Sequence, residues 1–354
     1  MRFKDKILFF IVLTGITFPV FRNGTTAMNF LEIDIASSNT AMGGACVSFV
    51  NDGSSIYWNP AGLAFLDRSE VLFFNQEWIA NISHTYTSVA IPINGTGSLG
   101  FALNLVNYGD IEVTTLEFQD GTGEYFTPME LSATFSYARK FVDWFGFGSS
   151  IKYIGSDIWH SSASAIAADL GVQIYTDFLS SSLGDHDGMK LGMSISNYGS
   201  RIKYDGLDLL QPIDISDDFG NFSNVMGKYE TSQWELPLLF RLGISNKFIK
   251  TSSQYLLISI DALHPNNDKE RINIGAEYSR SISNLFNFYL RAGYKGIHIN
   301  KIDNSKIQFS SPFGHSYGVG LELPIQVMKL KADYSVRFVG RFGMVSLVTI
   351  GMEF

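Results

Sequence analysis

The chain has 354 residues, 45% hydrophobic and 17% charged, which suits one large domain or two ordinary ones and excludes a disordered protein. A net charge of −8 with no basic block excludes a general nucleic-acid binder. The one cysteine, Cys46, excludes an intramolecular disulfide and a cysteine-based metal site, while 33 Gly against 9 Pro with 14% aromatics favours β-structure with tight turns.

Residues 1–27 read as a secretory signal peptide. Arg2, Lys4 and Lys6 precede an apolar run from Ile7 to Phe21, and small polar residues lead to a cleavage site expected near Ala27. The alternative, an uncleaved anchor, would need about 20 apolar residues, and this run is shorter. No later stretch is long and apolar enough for a spanning helix, so the mature protein is expected to be exported without one.

Residues 28–69 are small and weakly charged. In "YWNPAGLAFL" Asn59 suits an N-cap and Pro60 a first helical position, because the Asn side chain can accept a backbone N–H and proline needs no donor there. A short helix is expected through Ala61, Leu63, Ala64 and Phe65. Lying just ahead of the first strand, the segment reads as a helical plug entering a barrel.

From residue 70 onward the repeating signal is alternation with period 2. In "KADYSVRF" Ala332, Tyr334, Val336 and Phe338 share one face, and Lys331, Asp333, Ser335 and Arg337 the other. A soluble antiparallel sandwich also alternates, but its polar faces would carry many charges into water. Here those faces are rich in Gly, Ser and Asn, as in Gly146, Gly148, Ser150 and Lys152, or Lys190, Gly192, Ser194 and Ser196. Small polar residues inward and large apolar ones outward is the pattern of a transmembrane barrel. The fold class is an all-β membrane protein, a 14-stranded antiparallel transmembrane β-barrel over residues 70–354 with a short N-terminal helical plug. The strands are expected at 70–79, 84–93, 97–110, 128–141, 144–157, 164–176, 189–204, 235–247, 254–264, 270–282, 286–297, 315–325, 328–338 and 342–354.

Connections after even-numbered strands are mostly short, as periplasmic turns should be, with 176–188 the longer exception; the long ones, 111–127, 205–234 and 298–314, should face outward. The even count returns the C-terminus to the periplasmic side, where the N-terminus is also expected. The last strand ends in Phe354. A terminal aromatic on an alternating strand resembles the signal by which outer-membrane barrels are recognised for assembly, although Thr349 stands where Gly is usual.

Catalytic motifs are missing. His84, His160, His186, His264, His298 and His315 form no metal-ligand spacing and sit mostly at strand ends or in loops, where exposure is the plain expectation. Ser83 and His84 have no acid placed beside them, and neither a nucleophile elbow nor a phosphate loop occurs. Asp185 and Asp187, or Asp214, Asp217 and Asp218, could face a cation but lack the ligand series of a calcium loop; a turn and a solvated acidic loop are the simpler readings. An enzyme is not expected, nor any cofactor or resident metal. The inward phase instead carries Lys152, Asp169, Lys190, Arg241, Asp261, Glu277, Arg291, Glu322, Lys331, Asp333 and Arg337. Charges in a narrow lumen must be paired or hydrated, so they either pair and pack the plug or mark a polar path for a ligand's head group.

Residues 30–64 resemble the N-terminal signature of the PorV/PorQ family of outer-membrane proteins, relatives of the FadL long-chain fatty-acid transporters. The matching residues are Met42, Gly43, Gly44, Asp52, Trp58, Asn59, Pro60, Ala61 and Gly62, and "ADLGVQIY" at 168–175 looks like a recurrent strand of the family. Asn39 departs from the pattern where Arg is frequent. The resemblance implies a bacterial outer-membrane location, with contacts to membrane lipid and, through the last strand, to the barrel assembly machinery. It leaves two functions open. One is a partner-binding role in protein export and surface attachment of the type IX secretion kind, with secretion components or exported proteins as partners. The other is a FadL-like passive channel for long-chain fatty acids or other hydrophobic compounds. Leu207, Leu209, Leu210, Phe219 and Phe222 are the outer-loop candidates for either. For the plug motif the two roles are capping and seating the plug, or touching a ligand.

Overall fold

The structure is a computed structural model describing residues 24–180, 186–213, 225–251, 253–282, 285–303, 306–310 and 313–354. Most of the expected leader, Asp185, Asp214, Asp217, Asp218, Phe219 and Phe222 lie outside the described residues. Among them no helix is long and apolar enough to cross a membrane.

Strands do the crossing. In chain order they are β1 (Glu70–Glu77), β2 (Ser83–Ile93), β3 (Gly97–Asn107), β4 (Met129–Val142), β5 (Phe145–Ile158), β6 (Ser161–Tyr175) and β7 (Lys190–Gly199). The second half comprises β8 (Leu239–Thr251), β9 (Gln254–Pro265), β10 (Arg271–Ile282), β11 (Phe286–Asp303), β12 (Gly314–Ile325), β13 (Met328–Phe338) and β14 (Met344–Glu353). Each is antiparallel to its sequence neighbours, and β1 pairs with β14 from Glu70↔Glu353 to Gln76↔Leu347. The ring is closed, so no row of backbone donors and acceptors is left at an edge, which a bilayer would not tolerate.

The wall is inside out relative to a water-soluble protein. Phe73, Phe101, Phe135, Ile151 and Ile350 point away from the lumen, Ile151 with 63% of its surface exposed, while Ser136, Ser150, Ser194 and Ser335 are buried. That outer belt is stable only against lipid.

The ladder departs from the expected strands in a few places. β7 stops at Gly199 and β8 begins at Leu239; beyond them, among the described residues, the bridge Ile202↔Trp234 continues their pairing and Asp205–Gly206 rejoins Ser161–Ser162 of β6. Two causes act together. Asn197 has φ 64 and forces a bulge against β6 between Ala168 and Leu170, and Pro237 has no N–H to donate to a ladder. β11 runs on past the barrel to Asp303, where it pairs with Lys306–Ser310. Short hairpins at Ile111–Glu112 with Tyr125–Phe126 and at Leu210–Ile213 with Val225–Lys228 lie in the long loops. They are too short to show a period.

Inside the ring lies the N-terminal segment: a 3₁₀ turn at Asn29–Glu32, α1 (Ser37–Ala41), α2 (Ser55–Trp58) and a 3₁₀ helix at Pro60–Phe65. α1 packs on β11 to β14 and the Pro60–Phe65 helix on β2 to β6, so the segment touches opposite walls. The described N-terminal residues do not lie beside the C-terminus. Ala27 N donates to Glu235 O at 3.1 Å among the long loops, whereas Arg68 donates to Val327 O at 2.8 Å and Phe354 N to Ser69 O at 2.9 Å at the short-turn end. The plug therefore descends the whole lumen before β1 starts.

Inward glycines make room for it. A β-carbon at Gly148 would lie 2.3 Å from the Pro60 carbonyl carbon, at Gly171 2.0 Å from Asn59 Oδ1, at Gly192 2.2 Å from Val47 O and at Gly293 2.1 Å from Gly43 N. These distances are far inside contact, so any larger residue pushes the plug off the wall. Gly148→Ala is expected to lower stability by about 1–3 kcal/mol. Gly155→Ala, whose new carbon would meet nothing nearer than 3.6 Å, should stay within about 0.5 kcal/mol of wild type. The midpoint of thermal loss of the compact, heat-modifiable gel form checks both.

Candidate functional site

Every residue of the Trp58 to Gly62 motif is buried. Asn59 Oδ1 accepts the Ala61 N–H at 3.1 Å, the expected cap on a helix that Pro60 begins. Its Nδ2 donates to Val47 O at 2.8 Å and to Val172 O of β6 at 3.0 Å. Trp58 Nε1 donates to Ile35 O at 3.2 Å, and Gly62 is required because a β-carbon there would sit 2.1 Å from Val50 O. With the side-chain polar groups of Trp58 and Asn59 bonded to plug and wall, the motif's geometry is that of a seat.

Most lumen charges are ion-paired, in four groups, while Asp261 and Arg241 are held by neutral groups. Lys152 on β5 meets Asp169 on β6 at 2.7 Å and donates to Asn197 Oδ1 at 2.9 Å, while Asp169 accepts the Asn197 N–H at 2.8 Å, so this group fixes the bulge. Asp261 Oδ2 accepts the N–H groups of Cys46 and Val47 at 2.8 and 3.0 Å. Arg241 donates to Ser196 Oγ at 2.9 Å and lies 5.4 Å over the Trp58 ring. Arg291 bridges Glu277 and Asp333, each at 2.5 Å. Toward the short-turn end Lys331 pairs with Glu70 at 3.0 Å and with Glu353, and Lys329 with Glu322 at 3.5 Å. Arg337 meets Asp34 of the plug at 2.5 Å. Lys190 differs: it stacks 4.0 Å over the Tyr175 ring and has no carboxylate partner among the described residues.

A cavity of about 450 Å³ lies between the plug and the short-turn end. Plug residues Asn39, Phe49 and Asp52 line one side, and Lys190, Lys247, Tyr255, Glu277, Arg291 and Glu353 much of the rest. At the opposite end Leu207 is exposed and Leu209 and Leu210 half-buried on an outer hairpin. Phe354 is half-exposed beside the β1–β14 seam. Asp187, considered for a cation, pairs with Lys250. His84 corrects the expectation of an exposed histidine. It is fully buried, between Gln76 Nε2 and Asn104 Oδ1 at 2.5 Å each, because its place in the β2 alternation faces the lumen.

Sequence reasoning missed Asp34, Glu70, Lys247 and Lys295. Lys295 shares the inward phase with Arg291 and Gly293, a signal that was available; Asp34 lies in an irregular segment with no phase to read. Asp34 receives Lys295 at 2.6 Å as well as Arg337. Burial alone would raise its carboxyl, but Lys295 and Arg337 outweigh that and hold it below its ordinary value of 3.8. Asp34→Asn removes the anion that Lys295 and Arg337 share and is expected to cost about 3–5 kcal/mol. The folded value lies below the unfolded one, so this stabilisation is complete above the unfolded value and fades as pH falls through the folded one. Denaturation of wild type and variant across the acid range should show the gap between them narrowing as pH falls below 3.8, the carboxyl's ordinary value.

A sequence model of the family described as "Type IX secretion system protein PorV" matches residues 21–229. Comparison with curated proteins finds no match. Among solved structures, the Pseudomonas putida toluene transporter TodX is 10% identical, with 90% of this chain and 96% of that one covered at a TM-score of 0.52. The CymD monoaromatic hydrocarbon channel is 11% identical over 91% and 97%, at 0.53. A Pseudomonas aeruginosa FadL homologue is 12% identical over 91% and 98%, at 0.50. Likeness at such identities establishes a shared barrel fold. With more than half of its length matched by the family and its whole barrel matched in fold, the chain belongs to the PorV family of outer-membrane β-barrels.

Proposed function

We propose that the protein is a partner-binding component of protein export and surface attachment, of the type IX secretion kind, and that it works by binding rather than catalysis. The observation that carries this reading is the seated plug. Its backbone lies against wall glycines and its polar groups are bonded to the wall from Ser37 N–Thr349 Oγ1 at 2.7 Å to Gly53 N–Glu70 Oε2 at 2.6 Å. Passage through the lumen would have to break these contacts together. The outer loops meanwhile present Leu116, Phe118, Leu207, Tyr229 and Phe342 to solvent, side chains that gain by being covered.

The competing reading is a passive channel for long-chain fatty acids or other hydrophobic compounds, as the toluene and hydrocarbon channels of the same fold suggest. An apolar solute in this lumen would meet Glu277, Arg291, Lys331 and Asp333. It would find no gap at β3, which pairs with β2 and β4 without a register shift.

Extraction from native outer membranes without denaturant, followed by mass spectrometry of proteins and lipids together, tests the proposal. Secretion components or exported proteins are expected in stoichiometric amount, and are expected to be lost when residues 207–228 are replaced by a Gly-Ser linker in a barrel that still shows heat-modifiable mobility. A stoichiometric apolar small molecule without protein partners would sink it in favour of the channel. For Phe354 the proposed role is assembly: its removal should lower the heat-modifiable fraction in membranes about tenfold without altering total synthesis.

A further inference from the structure

Among the described residues that line the short-turn cavity, Glu277, Glu322, Asp333 and Glu353 already have a cation and Arg68 is bonded to Val327 O, but Lys190 and Lys247 lack an anion of their own. On the β10 to β14 side, Glu277 and Asp333 share Arg291, and Glu322, Glu353 and Glu70 share Lys329 and Lys331. Carboxylates are in excess there. On the opposite side Lys190 begins β7, with only the Tyr175 ring 4.0 Å beneath its ammonium group. Lys247 follows on β8, two residues beyond the Lys190↔Ser245 pair. It lies 4.8 Å over the Tyr255 ring, and among the described residues the carboxylate within 4 Å of it is Asp187 at 3.8 Å, an acid already engaged by Lys250.

Both lysines line the cavity. Two ammonium groups on adjoining strands, in a partly dehydrated wall, repel each other, and an anion between them removes the repulsion. Aromatic faces hold each stem in place, which lowers the entropy lost on binding. Glu277, which accepts the Tyr255 O–H at 2.7 Å, and the carboxylates beyond it repel a second negative group, so the geometry favours a ligand bearing one anionic end. Arg68, bonded to Val327 O, and the C-terminal Glu353 border the same cavity, placing it at the periplasmic mouth of the barrel.

We propose that Lys190 and Lys247 form a carboxylate-binding site open to the periplasm, which holds a single carboxylate between two aromatic-backed ammonium groups. The carboxylate can come from a small organic acid or from an acidic side chain of a peptide segment. The site is separate from the outer loops, and it stands or falls independently of the export reading.

The full-length barrel in detergent micelles supplies the test. Amine-reactive labelling of Lys190 and Lys247 is followed by mass spectrometry with acetate, with the capped peptide acetyl-Gly-Glu-Gly-amide, and with its Gln counterpart. Acetate and the Glu peptide are expected to slow labelling of both lysines at least about fivefold, and the Gln peptide not to. K247Q should weaken protection of Lys190 about tenfold, and K190Q that of Lys247. Protection by the Glu peptide at lower concentration than acetate identifies a peptide segment as the source; equal concentrations identify a small acid. Labelling unchanged by acetate and by the peptide overturns the proposal, as does equal protection by chloride at matched ionic strength, since that is screening alone. The wild-type measurement decides this even if a variant fails to fold.

Discussion

Everything in this barrel depends on hydrogen-bonding an irregular plug inside a lumen it fills. A backbone of short helical turns carries many donors and acceptors, and each one buried without a partner costs stability. The wall supplies the partners. Asp261 takes two plug N–H groups, Gln173 donates to Val47 O and Val50 O at 3.2 and 2.9 Å, and Asn59 ties the plug to itself and to β6. These side chains are short, so the backbones must approach closely, and the inward glycines permit it. Small residues and polar residues alternate on the lumen face because one kind admits the plug and the other bonds it.

The wall was legible in the sequence because a lipid-facing barrel imposes one rule on every strand. Period-2 alternation, turn lengths and the closing aromatic depend on nearby residues, and all fourteen strands lie close to where the alternation places them. Boundaries slipped where a local device overrode the pattern, at Asn197 and Pro237. The capping of the plug helix by Asn59 and Pro60 was legible for the same reason, being local.

The partnerships inside the lumen were not legible. Ser37 and Thr349 are 312 positions apart in the chain, and Asp34 and Arg337 are 303 apart. Alternation tells that Arg337 points inward; it says nothing about which part of an aperiodic plug meets it. His84 shows the opposite failure. Its proximity to a strand end suggested exposure, yet its phase put it in the lumen, and phase is the stronger constraint in a closed ring.

A shared fold with hydrocarbon channels leaves function open, and the lining of the lumen is what separates the possibilities physically. Near the long loops Asp34 holds Lys295 and Arg337 together; near the short turns Arg291, Lys329 and Lys331 hold a larger set of carboxylates. Such pairs contribute little net stability as formed, but separating them is costly, because each charge left behind is partly dehydrated. The plug carries Asp34, and its Gly53 N–H bonds Glu70, so both networks reach it. Moving the plug thus exposes unpaired charge at each end of the barrel at once. A channel for apolar solutes needs a stopper that shifts at small cost. A barrel that presents loops to partners needs a rigid frame beneath them, and a plug locked at both ends provides one.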